Sequence, residues 1–368
     1  MRKQFGEDKI IILLGAGASC DAGMKNSFMM IRDIEAQLHQ KWSKYKDLYN
    51  YIQSSHYHLE RIKGIVSSNI IFNIEHLVGL LNVIINISEK NVDVYPFIGS
   101  WEKDLYLVSG SKLELAKEFK EPILTQLKTS WLTPDDYRLR SSYYRKLMET
   151  GYNYPLRIFS LNYDMCVEAN VGGPGITLER GFDDTRKWDY RRYDPNEEGV
   201  QYYLYKLHGS LDWKRDTEKR LTYADSTDSV NPLEMEIIFG VQNKLQSYDP
   251  YMYYFYAFRE ACIKAELIVI SGYGFYDKHI NDNLISAIKI DPSKRLLINV
   301  YEPNNDNDTL VNAIVENLGI VKENVEIINH YAKDFFGSNL NIDYFSSLFP
   351  EEDADIDILP QTQTSEIL

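Results

Sequence analysis

Cysteine is scarce in this chain: Cys20, Cys166 and Cys262 are the only three in 368 residues, and no two of them form a Cys-x-x-Cys pair. That excludes a disulfide framework and a four-cysteine zinc site, and no metal is expected. Positive charge is also short. Lys and Arg number 40 against 54 Asp and Glu, a formal net charge of −14. No stripe of Lys and Arg with interleaved aromatics offsets that balance. Nucleic-acid binding by counterion release needs a basic surface, so no direct nucleic-acid contact is expected. Long apolar runs are missing too. None approaches the roughly 18–20 residues that cross a bilayer, so no membrane contact is expected. The opening residues, MRKQFGEDKI, carry acidic groups just ahead of a short apolar run, unlike a signal peptide. The expected compartment is the cytoplasm.

What is present points to a folded α/β protein. The hydrophobic fraction of 44% is ordinary. The chain is longer than one core usually supports, so a main domain of about 200–250 residues with a large insertion is expected. Lys9–Gly15 (KIIILLG) reads as a buried parallel strand ending in glycine, and GAGASCDAGMKNSF opens a helix expected to run through Met30, Ile34 and Leu38. From about residue 40 to 150, apolar spacings of three and four recur in Ile71–Ile87, Leu113–Leu127 and Tyr143–Met148, which predicts about half a dozen helices. Strand signals return at Pro155–Leu161, Tyr202–Leu207, Met235–Phe239, Leu267–Ser271, Leu296–Tyr301 and Val325–Asn329, with helical patterns at Tyr251–Ala265 and Asn281–Ile290. The alternation predicts a Rossmann-like parallel sheet with a helical insertion. The expected division is residues 1–40 and 151–345 for the nucleotide-binding domain, 41–150 for the insertion and 346–368 for an acidic, mobile tail.

Chemistry gathers at the ends of the predicted strands, where open α/β sheets bind ligands. Gly15-Ala16-Gly17-Ala18-Ser19 follows the first strand, and glycines there let a backbone approach a pyrophosphate at a helix N-terminus. The third glycine of the common dinucleotide fingerprint is replaced by Cys20, so the motif by itself also fits a plain tight turn. Asn162 and Asp164 follow a second strand, His208 a third, and Gly272-Tyr273-Gly274 a fourth. Histidine suits a proton acceptor near neutral pH, and an asparagine amide hydrogen-bonds a ribose hydroxyl or water through both ends. Asn299 and Glu302 stand at the end of the strand read at Leu296–Tyr301. The other histidines (His39, His56, His58, His76, His279 and His330) are read as structural. Glu75 and His76 are read as packing, with a position facing the site as the alternative, Asp277 as a helix N-cap, and Cys20 as a small helix residue. Tyr248–Tyr256 reads as a helix face in a core or a subunit interface, with stacking on an adenine as the alternative.

Four of these segments, in this order, resemble the sirtuin superfamily. Gly15-Ala16-Gly17-x-Ser19-x-x-x-Gly23 matches its GAGxSxxxG signature, and Leu161-Asn162-Tyr163-Asp164 its Asn-x-Asp motif. Lys206-Leu207-His208-Gly209-Ser210 is similar to its His-Gly segment, and Ser271-Gly272-Tyr273-Gly274-Phe275-Tyr276-Asp277 to a version of its adenosine-side loop in bacterial sirtuin-like proteins. The resemblance implies NAD as substrate, His208 as general base, Asn162 orienting the ribose or attacking water, and Asp164 against the nicotinamide carboxamide. Gly15, Ala16, Gly17, Ser19, Gly272, Tyr273 and Gly274 would line the phosphates and adenosine side, and Glu302, or Asn299, would accept the adenosine ribose diol.

The departures from the family fall mostly on the side that would hold an acyl-peptide. The two Cys-x-x-Cys pairs of the deacylases are missing, and Met24-Lys25-Asn26-Ser27-Phe28 stands where they carry Ile-Pro-Asp-Phe-Arg. Lys25 or Arg32 would have to serve in place of that arginine. Leu161 replaces a glutamine, and Val241 an expected acidic residue after Ile237-Ile238-Phe239-Gly240. An NAD glycohydrolase is therefore expected, like the sirtuin-like effectors of bacterial anti-phage defence, which deplete cellular NAD. The resemblance further implies control by homo-oligomerisation or by a partner such as a HerA-type hexameric ATPase or a short Argonaute. An NAD-dependent protein deacylase and a non-catalytic NAD or ADP-ribose-binding scaffold are the alternatives.

Overall fold

The computed structural model describes residues 2–66, 70–89, 100–110, 113–193, 199–239 and 249–350. Seven strands form one sheet: β1 (Ile10–Leu14), β2 (Leu156–Ser160), β3 (Thr177–Glu179), β4 (Val200–Lys206), β7 (Leu267–Ser271), β8 (Arg295–Val300) and β9 (Val325–Asn329). Between β4 and β7 the chain makes an antiparallel hairpin, β5 (Trp213–Arg215) with β6 (Leu221–Tyr223). The sheet order is β3-β4-β2-β1-β7-β8-β9, and every neighbouring pair runs parallel. The Rossmann-like expectation thus matches the fold. From β1 the chain adds β2, then β3 at the edge and β4 between them, and crosses to β7 on the other side, so the switch point lies between β1 and β7.

Both faces of the sheet are covered, which is why its central strands are apolar without alternation. Ile10, Ile12 and Leu14 face one core together with Leu156, Ile158, Leu204, Leu267 and Val269. Ile11 and Leu13 face the other with Phe159, Tyr203, Tyr205, Ile268 and Ile270. All five side chains of β1 are buried, each worth about 1.5–3 kcal/mol relative to exposure. The helices Tyr251–Lys264, Lys278–Ile290 and Asn307–Leu318 cover the second face. The first is covered by the helical segment between β1 and β2, joined by Phe335, Phe336 and Phe345 from the chain's last helices.

That segment contains the expected helices. Ile74–Ser88 begins at Asn73, whose side chain accepts from the Glu75 and His76 N–H groups, while His76 Nδ1 accepts from the Asn73 N–H at 3.4 Å. Glu114–Gln126 is helical as read, and the third pattern becomes a 3-10 segment, Ser141–Glu149. Tyr251, Tyr254 and Phe258 recur at helical spacing and are buried, while Met252 and Tyr256 on the same helix are exposed. Tyr248 and the tail beyond residue 350 lie outside the described residues. No helix among the described residues is long and apolar enough to cross a membrane.

Two expectations are corrected. The glycine turn does not open one continuous helix. A 3-10 segment, Ala16–Ala22, ends where Gly23 adopts a left-handed φ of 91°, and Asn26 then caps a separate helix, Ser27–Leu38, by accepting from the Phe28 and Met29 N–H groups. Met235–Phe239 is not a strand of the sheet. Its apolar residues are divided between the two cores, and its one ladder contact is an isolated antiparallel bridge from Ile237 to Gly209. β3, β5 and β6 are short strands beyond those read from the sequence.

His56 in the helix Lys46–Ile62 lies with its Nε2 2.8 Å from the Ile71 carbonyl and its ring 4.5 Å from that of His76. Burial lowers its pKa below 6.5, against the opposing pull of that carbonyl and of Glu60. The unfolded chain therefore binds a proton near pH 6.5 that the folded chain refuses until lower pH, so stability falls as pH drops below about 6.5. Urea denaturation between about pH 7 and pH 5.5 should show a steeper loss for the wild type than for His56→Gln. Equal slopes would contradict it.

Candidate functional site

The strand register sets the site. Leu14 pairs with Ser160 and with Ser271, Ser160 with Lys206, and Ser271 with Asn299. The next residues extend these ladders: Gly15 N–H donates to the Ser271 carbonyl, Leu161 N–H to Leu14, Leu207 N–H to Ser160 and Gly272 N–H to Asn299, all at 2.9 Å. The four turns therefore leave the carboxyl-terminal edge of the sheet at one level. Asn162 and His208 each stand two residues beyond the matched pair Ser160 and Lys206, on neighbouring strands.

At the switch point two turns touch backbone to backbone. Gly17 N–H donates to the Gly272 carbonyl at 2.9 Å. A Cβ on Gly272, whose φ is +67°, would lie 1.9 Å from the Ala18 nitrogen, and one on Gly15 would lie 2.5 Å from the Gly272 oxygen. The glycines at 15, 17 and 272 thus serve the contact between the turns after β1 and β7. Phe28 meets Tyr276 edge-on at 5.8 Å, joining the glycine-turn side to the loop Gly272-Tyr273-Gly274-Phe275-Tyr276-Asp277.

Asn162 is buried against this turn. Its Nδ2 donates to the Gly15 carbonyl (2.9 Å) and to Ser19 Oγ (3.2 Å), and its Oδ1 has no protein partner. Ser19 is fully buried and its hydroxyl lies 2.8 Å from the Tyr144 hydroxyl. Asp164 accepts from the Cys166 N–H at 2.9 Å, just ahead of the short helix Cys166–Asn170, so one carboxylate oxygen is engaged there. Burial pushes the Cys20 thiol up to about 11, with Asp21 and Asp164 adding to it, which disfavours a thiolate nucleophile.

His208 is buried and its Nε2 lies 3.2 Å from Asp277 Oδ2. Asp277 Oδ1 accepts from the His279 N–H (3.0 Å) at the start of the helix Lys278–Ile290. Asp277 is therefore an N-cap, as expected, but also the partner of His208, which the sequence reading missed. A carboxylate accepting Nε2–H leaves the lone pair on Nδ1 and steadies the ring's orientation. Tyr273 backs this turn: its hydroxyl accepts from the Asp277 N–H (3.2 Å) and lies 2.8 Å from Asn281 Oδ1. Tyr163 holds the other side, donating to the Ile238 carbonyl at 2.7 Å, while Ile238 N–H donates to the His208 carbonyl at 2.9 Å. The segment expected as a strand at Met235–Phe239 is thus a wall of the site. Burial pushes the Tyr163 and Tyr273 hydroxyls well above their usual range, and the charges of Glu75 and Asp277 add to it. Glu75 is therefore within electrostatic reach of Tyr163 and Tyr273, in keeping with the site-facing alternative.

Behind the turns lies a buried ion network. Lys206 Nζ donates to the Asp164 carbonyl and lies 3.4 Å from Glu168 Oε1. Arg180 contacts Asp212 at 2.7 Å and Glu168 at 3.6 Å. Burial alone would lower the Arg180 pKa, but Asp212 and Glu168 outweigh it and hold the guanidinium above its usual value. Such pairs resist removal of one partner, which would strand a buried charge.

On the β8 side, the Asn299 amide is fully engaged. Its Oδ1 accepts from Ser271 Oγ (2.8 Å) and its Nδ2 donates to the Ile328 and His330 carbonyls (3.1 and 2.9 Å). Of the pair left open for a ribose diol, Glu302 is the one whose side chain stays at the exposed end of β8. Beside His208 and Asp277, with Leu207, Tyr251, Phe255 and His279, is a cavity of about 30 Å³, room for about one water. A larger one, about 360 Å³, is lined by Arg295, Glu323, Glu326 and Tyr344 at the opposite, amino-terminal ends of β8 and β9. Volume favours the second, but strand-end geometry and the histidine–aspartate pair favour the first. Among the described residues no group of three or more His, Cys, Asp or Glu is placed to hold a metal ion.

A doubly wound α/β sheet carrying a histidine–aspartate pair and a glycine turn at its carboxyl edge is the class this site defines. Residues 156–321 match the model of the SIR2-like domain, a stretch that includes Asn162, Asp164, His208, Gly272, Tyr273, Gly274, Asn299 and Glu302 but not the Gly15–Ser19 turn. No curated protein matches the chain. Among solved structures it is similar to a Sir2 homologue in complex with NAD (10% identity, TM-score 0.43, covering 94% of this chain and 98% of that one). It is also similar to a mutant Sir2 homologue with 2'-O-acetyl ADP ribose (12% identity, TM-score 0.44, covering 92% of each).

Gly272→Ala should destabilise the fold by roughly 2–4 kcal/mol in urea denaturation, because backbone must move to admit the methyl group. Unchanged stability would show that the two turns do not touch.

Proposed function

We propose that the chain is an NAD glycohydrolase, releasing nicotinamide and ADP-ribose. The observation that carries this reading is the placement of Asn162 and His208 two residues past a matched pair on adjacent parallel strands, with His208 held by Asp277 and Asn162 by the glycine turn. The match to the SIR2-like domain supports it.

In this reading NAD lies across the carboxyl edge, its pyrophosphate towards the turns after β1 and β7 and its adenosine ribose towards Glu302. The bond between C1′ of the ribose and the nicotinamide nitrogen breaks, and its electron pair leaves with neutral nicotinamide. The ribose passes through an oxocarbenium-like state, as in glycoside cleavage. Water adds to C1′, and its proton goes to His208, which releases it to solvent. The unpartnered Oδ1 of Asn162 accepts a hydrogen bond from a ribose hydroxyl or that water. Asp164 is the candidate for the carboxamide. Without the cysteine pairs and peptide-side residues of the deacylases, water is the acceptor this chemistry favours.

In this reading an enzyme that depletes NAD is controlled by assembly: a homo-oligomer, or a partner of the HerA-type ATPase or short Argonaute kind, in cytoplasmic anti-phage defence. The acidic balance of the chain suits leaving nucleic-acid contact to the partner.

Purified chain incubated with NAD should release nicotinamide and ADP-ribose once assembled with its partner or as an oligomer, and more slowly as an isolated monomer. Full-rate release by the monomer would rule out control by assembly. His208→Ala and Asn162→Ala should each lose about 10²–10⁴ in turnover. Nicotinamide release by both variants at the wild-type rate would refute the assignment. Acetyl-ADP-ribose formed from an added acetylated peptide would favour a deacylase.

A further inference from the structure

Asn162 is fixed from a direction that its own strand does not supply. Both of its amide hydrogens are engaged, one on the Gly15 carbonyl and one on Ser19 Oγ, so the amide plane is set and Oδ1 is left as the open acceptor. Ser19 is held in turn by Tyr144, 125 residues further along the chain, hydroxyl to hydroxyl at 2.8 Å. Ser19 and Tyr144 are fully buried, so no solvent competes for either hydroxyl. Tyr143 secures the same turn by donating to the Ala18 carbonyl at 2.6 Å. The two rings pack on one another (4.9 Å) and on Phe336 of the helix Ala332–Ser338 (5.5 and 5.1 Å). Their 3-10 segment is tied to the helix after Asp164 by Asn170, whose Nδ2 donates to Ser141 Oγ at 2.8 Å.

We infer that Tyr144 is a positioning residue for Asn162, acting through the Ser19 hydroxyl, so that the helical segment between β1 and β2 supplies part of the catalytic geometry. Burial keeps the phenol protonated, its pKa held well above the usual range. The chain Tyr144–Ser19–Asn162 is then a relay of neutral hydrogen bonds that orients an amide and moves no proton. It also gives whatever binds the helical segment a route to the site: a shift of Ser141–Glu149 would release Ser19 first and the Asn162 amide second. The inference rests on the NAD-cleaving reading for its kinetic consequence but not for its geometry.

The test uses the full chain with Tyr144→Phe, which keeps the ring packing and removes only the hydroxyl. Expected is a loss of about tenfold in kcat for nicotinamide release, with KM for NAD within about twofold. The melting temperature should shift by no more than about 5 °C. Ser19→Ala should match this loss, and the double variant should be no worse than either single one, because both break one relay. Wild-type kcat in Tyr144→Phe, or fully additive losses, would overturn the inference. If the wild type itself releases no nicotinamide, the glycohydrolase reading fails and a crystal structure of Tyr144→Phe decides alone. An Asn162 side chain found in a second rotamer supports the relay, and one unmoved at full occupancy overturns it.

Discussion

Two backbones meet at the centre of the carboxyl edge, and the rest of the site depends on that contact. Gly17 and Gly272 approach so closely that neither position tolerates a Cβ. The contact brings the turn after β1, which holds Asn162 through Gly15 and Ser19, against the loop after β7, which carries Asp277 to His208. Without it, the turn that fixes the Asn162 amide and the loop that carries Asp277 to His208 would be joined only through their strands. Parallel register does the remaining work, since Ser160 and Lys206 are partners and their strands end together.

Charge and polarity are arranged around this contact in two tiers. Near the strand ends lie neutral hydrogen bonds: Tyr144, Ser19 and Asn162 to one another, Tyr163 to the Ile238 carbonyl and Tyr273 to Asn281. Beneath them lie the buried ions Lys206, Glu168, Arg180 and Asp212, which bridge β4, the helix after Asp164 and the segment after His208. Burying ions costs more than burying amides, and such a network favours one arrangement of the loops it joins over looser ones. The neutral tier can then present one unfilled acceptor, Asn162 Oδ1.

Much of the fold was legible because its strands are buried on both faces and therefore read as apolar runs. Leu267–Ser271 and Val325–Asn329 have the bounds read from the sequence, and β1 is one residue shorter at each end. Met235–Phe239 misled for the same reason, since a loop buried between two cores has the composition of a strand. The placement of Asn162, Asp164 and His208 at strand ends was legible because each follows directly on an apolar run. Their partners were not. Asp277 has the local signature of an N-cap and gains its second role only when β4 delivers His208 beside it. Tyr144 sits in a stretch patterned for core packing, and no local pattern connects it with Ser19. Asn299 stands at a strand end like the others, yet ties β8 to β7, to β9 and to the residue after β9.

The most direct test of the central claim is a crystal structure of the chain with ADP-ribose. The distal ribose should lie within hydrogen-bonding distance of the Asn162 amide and the His208 ring, with the pyrophosphate against the turns that follow β1 and β7. Nucleotide found instead in the cavity lined by Arg295 and Glu326, at the other end of the sheet, would contradict it.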